Sequence, residues 1–174
     1  MTLAIRPAVS ADIPAITRIY AHAVEHGTAS FELAPPDEAE MARRMARLVE
    51  GGFSYLAAEA GGRLAGYAYA ALYRERPAYR KTVEDSVYVA ANMHRRGVGV
   101  ALLNALMEQA TARGFQQMIA VIGDSTRQAA SIGLHEAAGF RHVGILQDVG
   151  FKHDRWLDSV LMQRALGAGA ATEP

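Results

Sequence analysis

Arg95, Arg96, Gly97 and Gly99 stand where a strand-like run, Val87-Tyr88-Val89, hands over to an apolar, helix-like run that begins at Val98. The first turn of a helix leaves several backbone N–H groups without partners, and with the helix dipole they form a site for an anion. Gly97 and Gly99 remove side chains that would keep a phosphate away from those groups, and arginine suits phosphate oxygens geometrically. The segment reads as a grip for a pyrophosphate or similar anion through residues 95 to 100. It also reads as capping glycines beside solvated arginines, and both readings stand on this segment alone. The ATP-binding P-loop needs Gly-Lys-Ser/Thr, which Gly99-Val100-Ala101 does not supply. The dinucleotide fingerprint needs a third glycine where Leu102 stands and an acidic residue near Ile119.

Glu84, Ser86 and Tyr88 alternate along a strand-like run, so they project to one face, opposite Val83, Asp85, Val87 and Val89. A carboxylate beside a tyrosine and a serine in an apolar strand can have its pKa raised; the competing reading is a solvated edge glutamate. His22-Ala23-Val24-Glu25-His26 fits the H-x-x-E-H pattern of one metalloprotease class. The helix carrying it ends at Gly27 and no partner carboxylate is evident, so these read as surface or interface histidines and no metal is expected. The chain has no cysteine, which removes disulfides, thiolate metal sites and any cysteine-bound intermediate.

The elements that must position these residues follow from apolar spacing and breakers. Leu3 to Pro7 reads as a first strand. Ser10 and Asp12 offer an N-cap to a helix with Ile13, Ile16, Tyr20 and Ala23 as its stripe. Pro35-Pro36-Asp37 opens a second helix with Met41, Met45 and Leu48 along one face, stopped by Gly51-Gly52. Phe53 to Ala60 and Arg63 to Tyr73 form a hairpin across Gly61-Gly62. Thr82 to Val89 is a fourth strand, Val98 to Arg113 a helix, Met118 to Ile122 a strand and Gln128 to Ala138 a helix. Val143 to Leu146 and Trp156 to Met162 close the list as strands, and residues 167–174 read as a frayed, disordered tail behind a single domain over 1–166. The order predicts an α/β fold with a mixed sheet flanked by helices on both faces. Met41, Met45 and the lone Trp156 are expected in the core.

Eighteen basic residues balance 18 acidic ones, which argues against general nucleic-acid or membrane affinity. No apolar run approaches the roughly 20 residues that span a bilayer, and the N-terminus lacks the basic head and apolar core of a signal peptide. A cytoplasmic protein is expected.

Arg95-Arg96-Gly97-Val98-Gly99-Val100 after a strand, with Leu134-His135-Glu136-Ala137-Ala138-Gly139-Phe140 further on, resembles the GNAT N-acetyltransferase superfamily. Residues 82–89 (TVEDSVYV), 130–136 (ASIGLHE) and Gly150-Phe151-Lys152-His153 through Trp156 resemble the narrower group of phosphinothricin and methionine sulfoximine acetyltransferases, from about Ile5 to Leu166. The resemblance implies a GNAT fold with a sheet of about seven strands and acetyl-CoA as co-substrate. It also implies acetylation of the α-amino group of glutamate-like amino acids, a detoxification that confers herbicide resistance, by a homodimer. His94 stands where the superfamily's loop usually opens with Gln or Arg, and Gln128 where an Asn often contacts the coenzyme.

The resemblance assigns roles. Glu84 is the expected general base, and His135 the expected acid, base or orienter of the substrate. Coenzyme contacts are expected from Arg95, Arg96, Gly97, Val98, Gly99, Val100, Gln128 and Ser131, and from backbone N–H groups of Val87, Tyr88 and Val89 freed by a bulge in that strand. Substrate contacts are expected from Arg74, Glu75, Arg76 and Tyr79, from Glu84, Asp85 and Ser86, and from Tyr88; two arginines suit a carboxylate. Without a cysteine, direct attack by the amine is the natural route. The alternatives are the same transfer to a protein N-terminus or polyamine, and a non-catalytic acetyl-CoA-binding module.

Overall fold

A computed structural model describes residues 2–171. Its strands are β1 (Leu3–Pro7), β2 (Tyr55–Ala60), β3 (Arg63–Leu72), β4 (Thr82–Val89), β5 (Gln117–Gly123), β6 (Arg141–Lys152) and β7 (Arg155–Ala165). Its helices are α1 (Ile13–His26), α2 (Glu38–Glu50), α3 (Val98–Ala112) and α4 (Ala129–Ala137). The strands form one seven-stranded sheet in the order β1-β2-β3-β4-β5-β7-β6. Only β4 and β5 run parallel, which makes the sheet mixed as expected.

Strand alternation sorts the core into two layers. Leu56, Ala58, Ala68 and Ala70 face α3, whose Leu102, Leu103 and Leu106 are fully buried. Burying each leucine contributes roughly 1.5–3 kcal/mol. Tyr55 and Tyr67 point the other way, onto Ile13, Ile16, Tyr20 and Val24 of α1 and Met41 and Met45 of α2. α2 starts where it does because the Asp37 carboxylate accepts the Glu40 amide at 2.7 Å, satisfying one open donor of the first turn.

The sheet comes apart in the middle. β4 pairs with β5 only over Thr82–Glu84 against Gln117–Ile119, after which the two diverge. The expected bulge in β4 is absent: its register with β3 runs unbroken from Leu72↔Val83 to Gly66↔Val89. The opening comes from the loss of β5 as a neighbour. Thr82 pairs with Tyr73, and Ala90 with Ala65, through ladder hydrogen bonds. Antiparallel alternation then turns the even-numbered residues of β4 to β3 and the odd ones to the gap. Val87 and Val89 therefore present their amides to the gap, while Tyr88, paired with Tyr67, does not.

Three further differences from the sequence reading have physical causes. β6 is far longer than Val143–Leu146, because register shifts at His142/Gly144 and Leu146/Gly150 let it bend and continue. Trp156 is 62% exposed; it sits near the β6–β7 turn, where no helix covers it, and packs edge-on against Phe151. Met41 and Met45 are buried as expected. Residues 169–171 form a 3₁₀ turn with Gly169 buried, instead of a frayed start to the tail; residues 172–174 lie outside the described residues.

Candidate active site

Two cavities meet at the gap between β4 and β5. The smaller, about 330 Å³, is lined by Glu84, Asp85 and Ser86 of β4, by Phe31 and Tyr69, and by His135 of α4. The larger, about 1010 Å³, runs along the glycine loop and the first turn of α3. Ala29, Val87, Tyr88, Gln128 and Ser131 line both, so a ligand in the larger cavity can reach Glu84 past these five residues.

Glu84 sits two residues inside β4, half-buried. Burial, and then the neighbouring Asp85 carboxylate, push its pKa up to about 7; no cation or hydrogen bond offsets them. A carboxylate tuned to that value is protonated or ionised with little cost near neutrality, as a general base requires.

His135 is tied at both ring nitrogens. Nδ1 lies 2.7 Å from the Ser131 carbonyl and Nε2 lies 2.9 Å from Asp85 Oδ2. The Ser131 carbonyl can only accept, so Nδ1 donates to it, and the charged ring donates its Nε2 proton to the Asp85 carboxylate. Burial opposes that charge, but the Asp85 carboxylate outweighs it and holds the pKa above the ordinary value. The second Asp85 oxygen, Oδ1, is buried without a partner, although Asp85 lines the small cavity.

The glycine loop has the backbone an anion grip needs. Gly97 is the N-cap of α3 with φ +80°, a conformation that strains any residue with a Cβ. Arg95 also adopts positive φ, +59°, which is uncommon outside glycine. Gly99 lies against α4: a Cβ there would stand 3.3 Å from Leu134 Cδ2. His94, at the loop's opening, places Nε2 3.1 Å from the Val89 carbonyl and so ties the loop to the end of β4. Val98 is buried, leaving only its backbone to a ligand. Arg95, Gly97, Gly99 and Val100 line the large cavity, but Arg96 does not; its exposed side chain falls outside it. These donors, with the amides of Val87 and Val89, suit an elongated ligand with anionic and amide groups. Among the described residues no group of His, Asp or Glu is arranged to hold a metal.

The structure brings Glu84, Asp85, Ser86, Tyr88, Gln128, Ser131 and His135 together, but not the β3–β4 loop. Arg74, Glu75, Arg76 and Tyr79 are outside the small cavity's lining. The Arg74 guanidinium lies over the rings of Tyr73 and Tyr79, at 5.2 and 5.8 Å, so the loop packs on itself beyond the sheet's end.

Phe31 is a lining residue the sequence reading missed. Its ring lies on the bare backbone of two glycines: a Cβ on Gly123 would fall 2.4 Å from it, and one on Gly150 2.3 Å. The loop that carries it is held by the buried Lys152 ammonium, which donates to the Ser30 carbonyl at 2.7 Å. The only local signal was a lone aromatic between two alanine-rich stretches.

A model of the acetyltransferase (GNAT) domain matches residues 5–161. Phosphinothricin N-acetyltransferase of Alcaligenes faecalis is 53% identical over 163 residues, covering 94% of this chain and 82% of the relative. L-methionine sulfoximine/L-methionine sulfone acetyltransferase of Pseudomonas paraeruginosa is 42% identical over 164 residues, covering 94% of each. The crystal structure of a GNAT superfamily phosphinothricin acetyltransferase from Sinorhizobium meliloti, in complex with AcCoA, superposes with a TM-score of 0.96 at 48% identity. That superposition covers 100% of this chain and 94% of the solved one.

Proposed function

This chain belongs to the GNAT acetyltransferase family and depends on acetyl-CoA, and from that premise we propose that it acetylates the α-amino group of a small glutamate-like amino acid. Phosphinothricin, methionine sulfoximine and methionine sulfone are the substrates its relatives' names carry. Acetylation removes the amine's charge, so the activity is a detoxification, and with phosphinothricin it confers herbicide resistance. The observation that carries the reading is Glu84, a carboxylate raised to about 7 in the small cavity that opens onto the large one.

The coenzyme's pyrophosphate lies on the amides of residues 97 to 100 with Arg95 beside them, and its pantetheine arm runs along the Val87 and Val89 amides. The thioester carbonyl takes the Val87 N–H, which stabilises the oxyanion. Glu84 removes a proton from the substrate ammonium, directly or through a water. The amine nitrogen then attacks the carbonyl carbon, the C–S bond breaks as the tetrahedral intermediate collapses, and the thiolate leaves with the second proton, the one the attacking nitrogen sheds as it becomes an amide. The free Asp85 Oδ1 is an acceptor for a donor on the substrate. His135, held at both nitrogens, orients Asp85 and so the end of β4 at which the substrate sits. Arg74 and Arg76 meet the substrate carboxylate once the β3–β4 loop leaves its own aromatic rings.

The enzyme is a homodimer of single-domain subunits in the cytoplasm. β6 is an edge strand with Val143, Ile145, Leu146, Val149 and Phe151 all exposed, a surface a second copy would cover.

Coenzyme release measured with the three substrates, glutamate, a polyamine and an N-terminal peptide tests the substrate class. Turnover confined to the glutamate-like amines supports it; turnover of the polyamine or peptide alone overturns it. Glu84→Gln lowers kcat by about 10²–10⁴-fold with coenzyme affinity unchanged. In the wild type kcat rises with pH through about 7, as Glu84 loses its proton, and that limb disappears in the variant. Unchanged turnover in Glu84→Gln would remove Glu84 as the base.

A further inference from the structure

The large cavity has a second wall. Arg18, His22 and His26 of α1 recur every four residues, so they share one helix face, and all three line the same cavity as the glycine loop. The His22 and His26 rings stack at 4.8 Å, which keeps them on that face as a pair. This face carries the H-x-x-E-H pattern that reads as a metal motif in sequence. Glu25, its carboxylate, does not line the cavity.

The charge of the lining is one-sided. The whole chain balances 18 basic residues against 18 acidic ones. The cavity's lining holds two arginines, Arg18 and Arg95, and three histidines, His22, His26 and His94, with no Asp or Glu. A random share of a neutral chain would include carboxylates, so the wall is built for an anion. Arg18 is exposed and forms no salt bridge with any described residue, so its guanidinium is free for a ligand. Arg96, the neighbour from which a second cation is expected, does not line the cavity.

We infer that Arg18 is a coenzyme-binding residue: its guanidinium pairs with the pyrophosphate of acetyl-CoA from the α1 side, across the groove from the glycine loop, with His22 beside it. The pyrophosphate is then gripped from two elements, so α1 helps to position the acetyl group although it lies on the opposite sheet face from α3.

Calorimetry with free CoA, dephospho-CoA and pantetheine tests this without any acceptor, so it is separate from the choice of amine substrate. Arg18→Gln weakens CoA and dephospho-CoA alike, by about threefold to tenfold, as expected for one solvent-accessible charge-assisted hydrogen bond. The loss shrinks as salt is raised, and pantetheine, followed by competition, binds unchanged. Arg18→Lys recovers part of the loss, because the charge returns without the planar fork. Arg43→Gln, which removes an exposed guanidinium of α2 that pairs with Glu40 away from the cavity, leaves all three affinities as they were. CoA affinity within twofold of the wild type in Arg18→Gln, or an equal loss with pantetheine, would overturn the assignment.

Discussion

At residue 84 a carboxylate is held where its charged form is poorly solvated. Its folded pKa lies above its unfolded value, so it favours folding while neutral. That contribution is fully present below about 4.5 and is lost as pH rises through about 7. Glu84→Gln, which stays neutral, should therefore melt at a higher temperature than the wild type at pH 8 while turning over more slowly. Equal melting temperatures at pH 8 would show that Glu84 is better solvated than its surroundings imply. His135 also has a raised pKa, so the stability it gives by pairing with Asp85 is present below the ordinary histidine value of 6.5 and falls as pH climbs through the folded one. Asp85→Asn leaves a buried imidazolium unpaired. It should cost about 3–5 kcal/mol in urea unfolding at pH 6, and less at pH 8. The face carrying Glu84 was legible in sequence, because strand alternation is local. The Asp85–His135 pair was not: its partners are 50 residues apart, and only α4 packing against the open side of β4 joins them.

Among elements, the loop between α1 and α2 is the part of the site least visible in advance. Apolar spacing assigns it no element, yet Phe31 wedges it onto Gly123 of β5 and Gly150 of β6, and Lys152 holds it from β6. Gly150→Ala would place a methyl group where the Phe31 ring lies, costing about 1–3 kcal/mol and moving that ring within the small cavity. The three atoms nearest a Gly150 Cβ belong to Phe31, so the same change in a Phe31→Ala background should cost much less. A double-mutant cycle by denaturant unfolding measures this coupling, and additive costs would refute it. The helices and most strands were readable because caps and apolar spacing are short-range signals. The extent of β6 was not, since its two register shifts depend on pairing with β7.

At the scale of the whole molecule the open question is what covers β6. It is exposed from Arg141 to Val149, on both faces, although nine of the eleven residues of β7 beside it are buried or half-buried. An edge of this kind associates readily with another strand. Ile145→Asp should convert the proposed dimer to a monomer in sedimentation. A wild type that already sediments as a monomer would rule the dimer out.

Sequence alone determined the order of elements, the glycine loop, the face bearing Glu84 and the family, because each is written in short patterns of spacing and residue type. Tertiary structure decided three other things: β4 opens by losing β5 and not by a bulge, His135 is locked to Asp85, and Arg18 rather than Arg96 lines the large cavity. Each depends on which distant element lies alongside, and chain-local spacing carries no record of that.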